Sequence, residues 1–270
     1  MKEICVITGG GSGMGLATAH ILGKKYKIIL VGRTQAKLEK AKAQLLEDGI
    51  EAETFAADVG DEASIHRLAA YAAEAGRVKI LVHAAGLSPH MGSGADIMQG
   101  NALGTVIMDE EFYKVMGEGG CMINISSMSA YIAPRIVMPR RFYRLALTNR
   151  EKFMNRMMVL INLLPKSQRS NLAYCISKDF VIWYSKRIAG KMGQKGIRVL
   201  SITPGNFETP MGRLEEKEAG SFMKYCAIKR FGRPQEIAEL IAFCADDKPG
   251  FLTGCDIICD GGCIAGKKIK

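Results

Sequence analysis

The amino-acid sequence predicts a single-domain α/β protein whose core is a doubly wound parallel sheet of about seven strands. Short β-branched runs alternate with stretches of helical periodicity, which is typical of a parallel sheet covered by helices on both faces. The chain has 270 residues, of which 48% are hydrophobic, enough to bury one large core. No internal repeat, low-complexity tract or linker divides residues 1–270, so one domain is the simplest organisation.

Seven runs are expected to form the strands, at residues 4–8, 27–31, 51–56, 80–83, 121–126, 197–203 and 256–259. Helical periodicity follows each of the first six, at residues 14–24, 35–47, 62–75, 101–116, 172–192 and 234–244. Residues 128–170 are too long for an ordinary strand-to-helix connection and are predicted to be an insertion with its own helix at 150–164.

The net charge of +10 is concentrated in that insertion. Between residues 129 and 170 there is one acid, Glu151, and there are nine basic residues: Arg135, Arg140, Arg141, Arg144, Arg150, Lys152, Arg156, Lys166 and Arg169. The rest of the chain is nearly balanced, which argues against a protein that binds nucleic acid.

The chain has no apolar run near the roughly 20 residues needed to cross a bilayer, and its first residues are typical of a buried strand rather than a signal peptide. We therefore expect a soluble, cytoplasmic protein. The eight cysteines are expected to be reduced thiols. Cys255, Cys259 and Cys263 are evenly spaced, but no CxxC pair or nearby histidine accompanies them, so no metal site is predicted.

A glycine-rich turn follows the first predicted strand and opens the first predicted helix, in the run Thr8-Gly9-Gly10-Gly11-Ser12-Gly13-Met14-Gly15. Glycines allow a tight turn and close approach of the backbone to a pyrophosphate, and the helix start adds free N–H groups. The turn predicts a dinucleotide site with contacts at Gly9, Gly11, Ser12, Gly13, Met14 and Gly15.

The end of the second strand indicates which dinucleotide is bound. An acid that would bind the ribose 2′-hydroxyl of NAD is absent, and Arg33 and Thr34 follow Gly32 instead. A guanidinium suits a phosphate, so we expect NADP(H) to be preferred, with NAD as the alternative. Asp58 and Val59 are placed to contact the adenine, although Asp58 can equally be a helix cap.

Tyr174 and Lys178 lie four residues apart at the head of an apolar helix. Residues at this spacing share a helix face, and a nearby cation lowers the pKa of a phenol. The pair therefore predicts a proton donor and acceptor beside the dinucleotide. Taken alone, such a tyrosine is usually a core residue and such a lysine is usually solvated.

Together these motifs resemble the classical short-chain dehydrogenase/reductase family over the whole chain except the insertion. The turn matches the family's TGxxxGxG at Thr8, Gly9, Gly13 and Gly15, and Asp260-Gly261-Gly262 matches its terminal D-G-G. His83-Ala84-Ala85-Gly86 stands where the family has N-N-A-G, so His83 and Ala84 replace two asparagines. The family's P-G-x-x-x-T is matched by Pro204, Gly205 and Thr209.

The resemblance implies hydride transfer between a nicotinamide and a secondary alcohol or ketone. By it, Tyr174 is the general acid or base, Lys178 tunes the phenol and holds the ribose, Ser127 binds the substrate oxygen and Asn101 anchors a proton-relay water. From the residues alone, Ser127 can simply satisfy backbone groups and Asn101 can be a helix cap. Further cofactor contacts are implied at Ala84, Ala85, Gly86, Pro204, Gly205 and Thr209.

Within the family the chain is most similar to bacterial 3α-hydroxysteroid dehydrogenase/carbonyl reductases. The short stretch between Gly86 and Asn101, the long insertion and Asn171-Leu172-Ala173-Tyr174 carry this likeness. Because the insertion combines basic and apolar residues and lies between Ser127 and Tyr174 in the sequence, we expect it to overhang the active site with a cationic rim and to suit an apolar substrate with an anionic group, such as a bile acid. Other readings of the insertion are an oligomer contact, a solvated face and a peripheral membrane contact. A homodimer is expected.

Two other functions stay open at this point. One is a reductase acting on another carbonyl or 3-oxoacyl substrate. The other is a non-catalytic protein that senses the dinucleotide, although such a sensor has no need of the Tyr174 proton donor.

Overall fold

The computed structural model describes residues 3–134, 136, 138–214 and 220–269. Arg135, one of the basic residues counted above, lies outside the described residues. The described strands are β1 (Ile4–Thr8), β2 (Lys27–Gly32), β3 (Ala52–Ala56), β4 (Val78–His83), β5 (Cys121–Ile125), β6 (Arg198–Pro204) and β7 (Asp256–Cys259).

These strands form one sheet in the order β3-β2-β1-β4-β5-β6-β7, with every neighbouring pair parallel. The chain starts in the middle, winds outward to β3, and then crosses back to β4 on the other side of β1. The predicted doubly wound sheet of seven strands is thus confirmed. Because the winding reverses between β1 and β4, a crevice is expected at their carboxyl ends.

Helices connect the strands and cover both faces of the sheet. The described helices are α1 (Gly13–Leu22), α2 (Gln35–Glu47), α3 (Glu62–Ala75), α4 (Gly94–Ile97), α5 (Gly104–Val115), α6 (Ser129–Ile132), α7 (Arg140–Tyr143), α8 (Arg150–Asn162), α9 (Lys166–Gly193), α10 (Pro210–Leu214), α11 (Pro234–Ala245) and α12 (Cys263–Ile269). A π-helical segment (Met98–Leu103) joins α4 to α5, and a short 3₁₀ helix (Arg144–Leu147) follows α7.

Alternating residues of the central strands divide the core into two layers. Val6, Leu81 and Met122 face the layer that contains α3, α5 and α9, whereas Ile7 and Val82 face the layer that contains α1 and α11. All five side chains are fully buried. This explains why the central strands are nearly continuous apolar runs, since a strand covered on both faces has no side open to solvent.

Two helices begin earlier than the sequence predicts. The helix expected at 172–192 begins at Lys166 and runs for 28 residues, so its first turns come from the segment assigned to the insertion. The helix expected at 101–116 is preceded by α4, whose Ser93 and Asp96 form a capping box. Residues 166–171 are polar and there are glycines at 94, 100 and 104, so these helical turns lack the apolar periodicity by which a helix is predicted.

Candidate active site

A cleft of about 800 Å³ lies at the carboxyl ends of the central strands. Its lining includes residues directly after β1, β4, β5 and β6, such as Gly9, Ala84, Ser126 and Gly205. The cleft is therefore at the crevice where the strand order reverses, the usual ligand position of this sheet topology.

The glycine-rich turn forms one wall of the cleft and leaves no room for a side chain at Gly9 or Gly15. Gly9 has φ +69°, and a Cβ there would lie 3.0 Å from the carbonyl carbon of Ala84. A Cβ on Gly15 would lie 2.4 Å from the carbonyl oxygen of Gly9. The turn is thus a main-chain cradle at the start of α1, and it fits a dinucleotide pyrophosphate by shape and by helix polarity.

Most residues predicted to contact the dinucleotide line this one cleft. They are Gly9, Ser12, Gly13, Met14, Gly15, Arg33, Asp58, Val59, Ala84, Ala85, Gly86, Tyr174, Lys178, Pro204, Gly205 and Thr209. Gly11 and Thr34 were also predicted but are not part of the lining; Thr34 instead precedes α2 as its N-cap residue.

Two charged side chains stand at the outer end of this wall. Arg33 is exposed and lines the cleft directly after β2. Asp58 also lines it, and its Oδ1 accepts a hydrogen bond of 2.8 Å from the Gly60 amide. The carboxylate thus has a local structural partner as well as a position in the cleft.

His83 braces the turn that follows β4 in place of the asparagine expected there. The Ala85 amide donates to Thr8 Oγ1 at 3.0 Å, and the Thr8 hydroxyl can donate its proton to His83 Nδ1, 2.9 Å away. Burial, with a smaller contribution from the nearby charge of Lys178, lowers the pKa of His83 to about 3, so the ring is neutral. Departure of the H-A-A-G motif from the family pattern was the only sequence signal for this residue.

Tyr174, Lys178 and Ser127 meet at the middle of the cleft, on its lining. Lys178 is buried, and its Nζ donates to the Ile125 carbonyl at 3.0 Å and lies 5.8 Å from the centre of the Tyr174 ring. Ser127 Oγ accepts from the Ser129 amide at 3.2 Å. A phenol, an ammonium and a hydroxyl therefore line the same cleft as the glycine wall.

Asn101 lies behind this group and does not line the cleft. It is buried in the π-helical segment; its Oδ1 accepts from the Leu87 amide at 2.7 Å, and its Nδ2 donates to the Leu87 carbonyl and to Ser177 Oγ. A Cβ added to Gly86 would lie 3.2 Å from Asn101 Oδ1 and 3.3 Å from Lys178 Nζ. Asn101 thus fixes the Leu87 backbone beside Lys178, and its amide is already engaged.

The far end of the cleft is lined by residues that the sequence analysis did not identify. They come from the turn after β4, from α4, from α6, from the start of α9 and from the segment after β6, and include Leu87, Pro89, Met91, Asp96, Ile132, Asn171, Cys175, Met211, Phe222 and Phe231. Most are apolar. No local motif marks them, because they meet only through the tertiary fold.

The insertion was expected to overhang the cleft, but in its described part only Met128, Ser129 and Ile132 line it. From α7 to α8 it packs into the core instead, with Phe153 and Met157 fully buried. The apolar face of α8 finds its partner in α9, where the Phe153 and Phe180 rings are 5.1 Å apart.

Two of its basic residues pair with carboxylates that do not line the cleft. Arg140 binds both oxygens of buried Asp179, and Arg150 bridges Glu62 at 2.8 Å and Glu110 at 2.5 Å. Among the described lining residues the only lysine or arginine side chains are Arg33 and Lys178. The described part of the insertion therefore contributes no lysine or arginine to the lining of the cleft.

Within the described residues, no helix combines the length and apolar character that a membrane span requires. The same part of the chain holds no cluster of histidine, cysteine or acidic side chains arranged to bind a metal ion.

Comparison with known families gives two matches that together cover most of the chain. The family model described as short chain dehydrogenase matches residues 3–139. A second model, described as Enoyl-(Acyl carrier protein) reductase, matches residues 158–263.

Individual relatives are similar along their whole length. The short-chain dehydrogenase/reductase bsc3 of Alternaria brassicicola is 28% identical over 98% of this chain and 97% of its own. The D-threitol dehydrogenase of Mycolicibacterium smegmatis is 29% identical over 96% of this chain and 92% of its own. A short chain dehydrogenase from Burkholderia cenocepacia, solved in complex with NADP, has the same fold, with a TM-score of 0.77 at 21% identity over 97% of both chains.

Proposed function

The chain belongs to the short chain dehydrogenase family and is a short-chain dehydrogenase/reductase, and from this premise we propose that it interconverts a secondary alcohol and a ketone with NADP(H). The observation that carries the proposal is the position of Tyr174, Lys178 and Ser127 on one cleft with the glycine cradle. The bound nicotinamide supplies or accepts the hydride, and the side chains supply position and proton transfer.

Each of the three side chains has a separate task in this proposal. Tyr174 donates a proton to the ketone oxygen during reduction and accepts one from the alcohol during oxidation. Ser127 donates a hydrogen bond to the same oxygen, where negative charge develops. Lys178, fixed by the Ile125 carbonyl, stabilises the phenolate by its charge. Asn101 positions Leu87 and the neighbouring backbone.

The preference for NADP(H) rests on the outer end of the glycine wall. Gly32 and Arg33 line the cleft after β2, where a carboxylate would repel the 2′-phosphate and a guanidinium attracts it. The similar Burkholderia cenocepacia protein, which was solved with NADP, is consistent with this choice.

An apolar ketone fits the far end of the cleft best. Leu87, Met91, Ile132 and Phe222 present aliphatic and aromatic surface there, which favours a steroid-sized or other bulky apolar substrate over a sugar. The hydroxysteroid and bile-acid assignments belong to this class and are proposed as its leading candidates. The expected homodimer and membrane contact stay predictions.

The test is a panel of ketones assayed for oxidation of NADPH and of NADH by the wild-type protein. Ring ketones of steroids and bile acids, acyl ketones and keto sugars are compared at equal concentration. We expect turnover with NADPH, fastest on the apolar ketones. Tight NADPH binding without turnover of any ketone or alcohol would instead favour a dinucleotide sensor.

A further inference from the structure

A second, smaller cavity opens beside the far end of the cleft. It has a volume of about 170 Å³ and is lined by Met128, Tyr131, Ile132, Phe222, Cys263, Ile264 and Lys267. Met128, Ile132 and Phe222 also line the main cleft. The two spaces are therefore neighbours on either side of shared side chains.

Lys267, on α12, stands at the junction of the two spaces. Its Nζ donates to the Ile132 carbonyl at 3.2 Å and lies 5.7 Å from the centre of the Phe222 ring. Both contacts are with residues that line both cavities. Among the described residues no carboxylate lies within salt-bridge distance of this ammonium, which has three N–H donors in all.

The charge of Lys267 also acts on the main cleft. Burial raises the pKa of the Cys175 thiol to about 11, and the ammonium of Lys267 opposes that rise. Cys175 follows Tyr174 and lines the cleft. The ammonium therefore lies near a thiol that lines the cleft.

The other polar groups of the second cavity already have partners. The Tyr131 hydroxyl donates to Asp256 Oδ2 at 2.6 Å, and Cys263 Sγ lies 3.6 Å from the Phe222 carbonyl. The remaining walls are apolar side chains. An ammonium at the edge of an apolar pocket favours a ligand whose chain is apolar and whose end is anionic, because burial of an unpaired charge is costly.

We propose that the substrate carries a carboxylate on its apolar body and that this carboxylate enters the second cavity and binds Lys267. The inference rests on the proposed function, since it concerns the substrate of that same site. It places the anion-binding group on the C-terminal helix rather than on the basic insertion.

The experiment compares methyl ketones that bear a terminal carboxylate, in a series of chain lengths, with their neutral methyl esters. The quantity measured is the ratio of kcat/KM for each acid to that for its ester. At the chain length that reaches the second cavity, we expect the wild type to favour the acid and Lys267→Met to lower the ratio about 10- to 100-fold. Lys267→Arg retains the charge and should retain much of the preference.

Lys195→Met is a matched control. The Lys195 ammonium also donates to a carbonyl, that of Tyr113 at 2.7 Å, and lies over the same residue's ring, but it lines neither cavity. This variant should show the wild-type ratio. A wild type without acid preference at any chain length, or a preference that Lys267→Met leaves intact, overturns the proposal.

A binding measurement separates this inference from the proposed function. Calorimetric titration with octanoate and with methyl octanoate, in the presence of NADPH, is expected to show carboxylate binding that Lys267→Met removes and Lys195→Met retains. If no ketone is turned over and this binding persists, the proposed function fails alone. If ketones are turned over and octanoate binds wild type and Lys267→Met equally, the subsite fails alone. Lys267→Gln serves as a second neutral variant if Lys267→Met does not fold.

Discussion

The two halves of the cleft are built from different parts of the polypeptide. The nucleotide half consists largely of main chain and glycines at the ends of adjacent strands, and a single added Cβ at Gly9 or Gly15 would collide with it. The substrate half consists of side chains from five separate segments, among them Leu87, Ile132 and Phe222. The shape of the nucleotide half is therefore fixed by backbone geometry, whereas the shape of the substrate half depends on the identity of each side chain. Substrate choice belongs to the second half.

The largest effect is expected where the halves meet, in Tyr174→Phe. Loss of the phenolic proton should lower kcat about 1,000-fold, within the usual range for general acid–base catalysis, because no other group is proposed to protonate the substrate oxygen. NADPH binding should persist, since the glycine cradle is unchanged. Stopped-flow or steady-state kinetics measure the first effect and cofactor fluorescence the second.

Tyr113→Phe is the control for that variant, because Tyr113 is a partly buried tyrosine that does not line the cleft. It should retain wild-type turnover. Substantial turnover by Tyr174→Phe over the whole pH range would require withdrawal of the acid–base assignment.

The second-largest effect concerns the insertion, whose helices α7 and α8 pack into the core through Tyr143, Phe153 and Met157. Asp179 is 1% exposed, and both its oxygens bind Arg140, with the Tyr143 hydroxyl as a further donor at 3.0 Å. In Arg140→Leu the carboxylate would lose its countercharge while buried. We expect the free energy of unfolding to fall by about 2–3 kcal/mol, measured in urea.

Arg141→Leu removes the same charge from an exposed neighbour that stacks on Phe142, and should cost about 0.5 kcal/mol or less. Adding Asp179→Asn to Arg140→Leu should recover part of the lost stability, since the buried charge is then gone. If Arg140→Leu changed only the KM for bulky ketones and left stability intact, the expectation that the insertion overhangs the active site would be favoured.

A third effect is expected from the buried carboxyl of Asp109, which is hydrogen-bonded to the strand that holds Lys178. Asp109 accepts from Asn124 Nδ2 at 2.7 Å, next in sequence to Ile125, whose carbonyl holds Lys178. Burial raises the pKa of the Asp109 carboxyl to about 7; the Asn124 hydrogen bond opposes this rise and the Glu110 charge adds to it. The native carboxyl therefore keeps its proton at pH values where the unfolded one, with a pKa of about 3.9, has lost it.

The sign of the pH dependence follows from that difference. Between about pH 4 and 7 the native state binds more protons than the unfolded state, so this group makes stability fall as pH rises, with the full penalty above pH 7. Asp109→Asn removes the ionisable group. The free energy of unfolding of Asp109→Asn minus that of wild type, measured in urea, should rise by about 2 kcal/mol from pH 5 to pH 8. A parallel pH dependence in both proteins would show that Asp109 is ionised without penalty.

The same division explains what could be predicted from the sequence. The glycine turn, the Tyr174–Lys178 spacing and all seven strands are local patterns, and each strand is found within two residues of its expected bounds. Met211 and Phe222 reach the substrate half, and Lys267 reaches the neighbouring cavity, from distant segments, so no spacing marks them. The packing of the insertion was not predictable for a related reason: a mixed basic and apolar sequence specifies an amphipathic helix but not the surface on which it packs.

The smallest effect is expected at the outer end of the nucleotide half, where a side chain rather than the backbone makes the distinction. Arg33→Ala should raise the KM for NADPH about tenfold and change the KM for NADH little, since only NADPH has a 2′-phosphate for the guanidinium to bind. Lys40→Ala removes an exposed charge from α2, outside the cleft lining, and controls for net charge. If the ratio of the two KM values is unchanged in Arg33→Ala, another group sets the cofactor preference. Dinucleotide binding would then depend on the backbone of the glycine turn, whereas substrate binding depends on side chains.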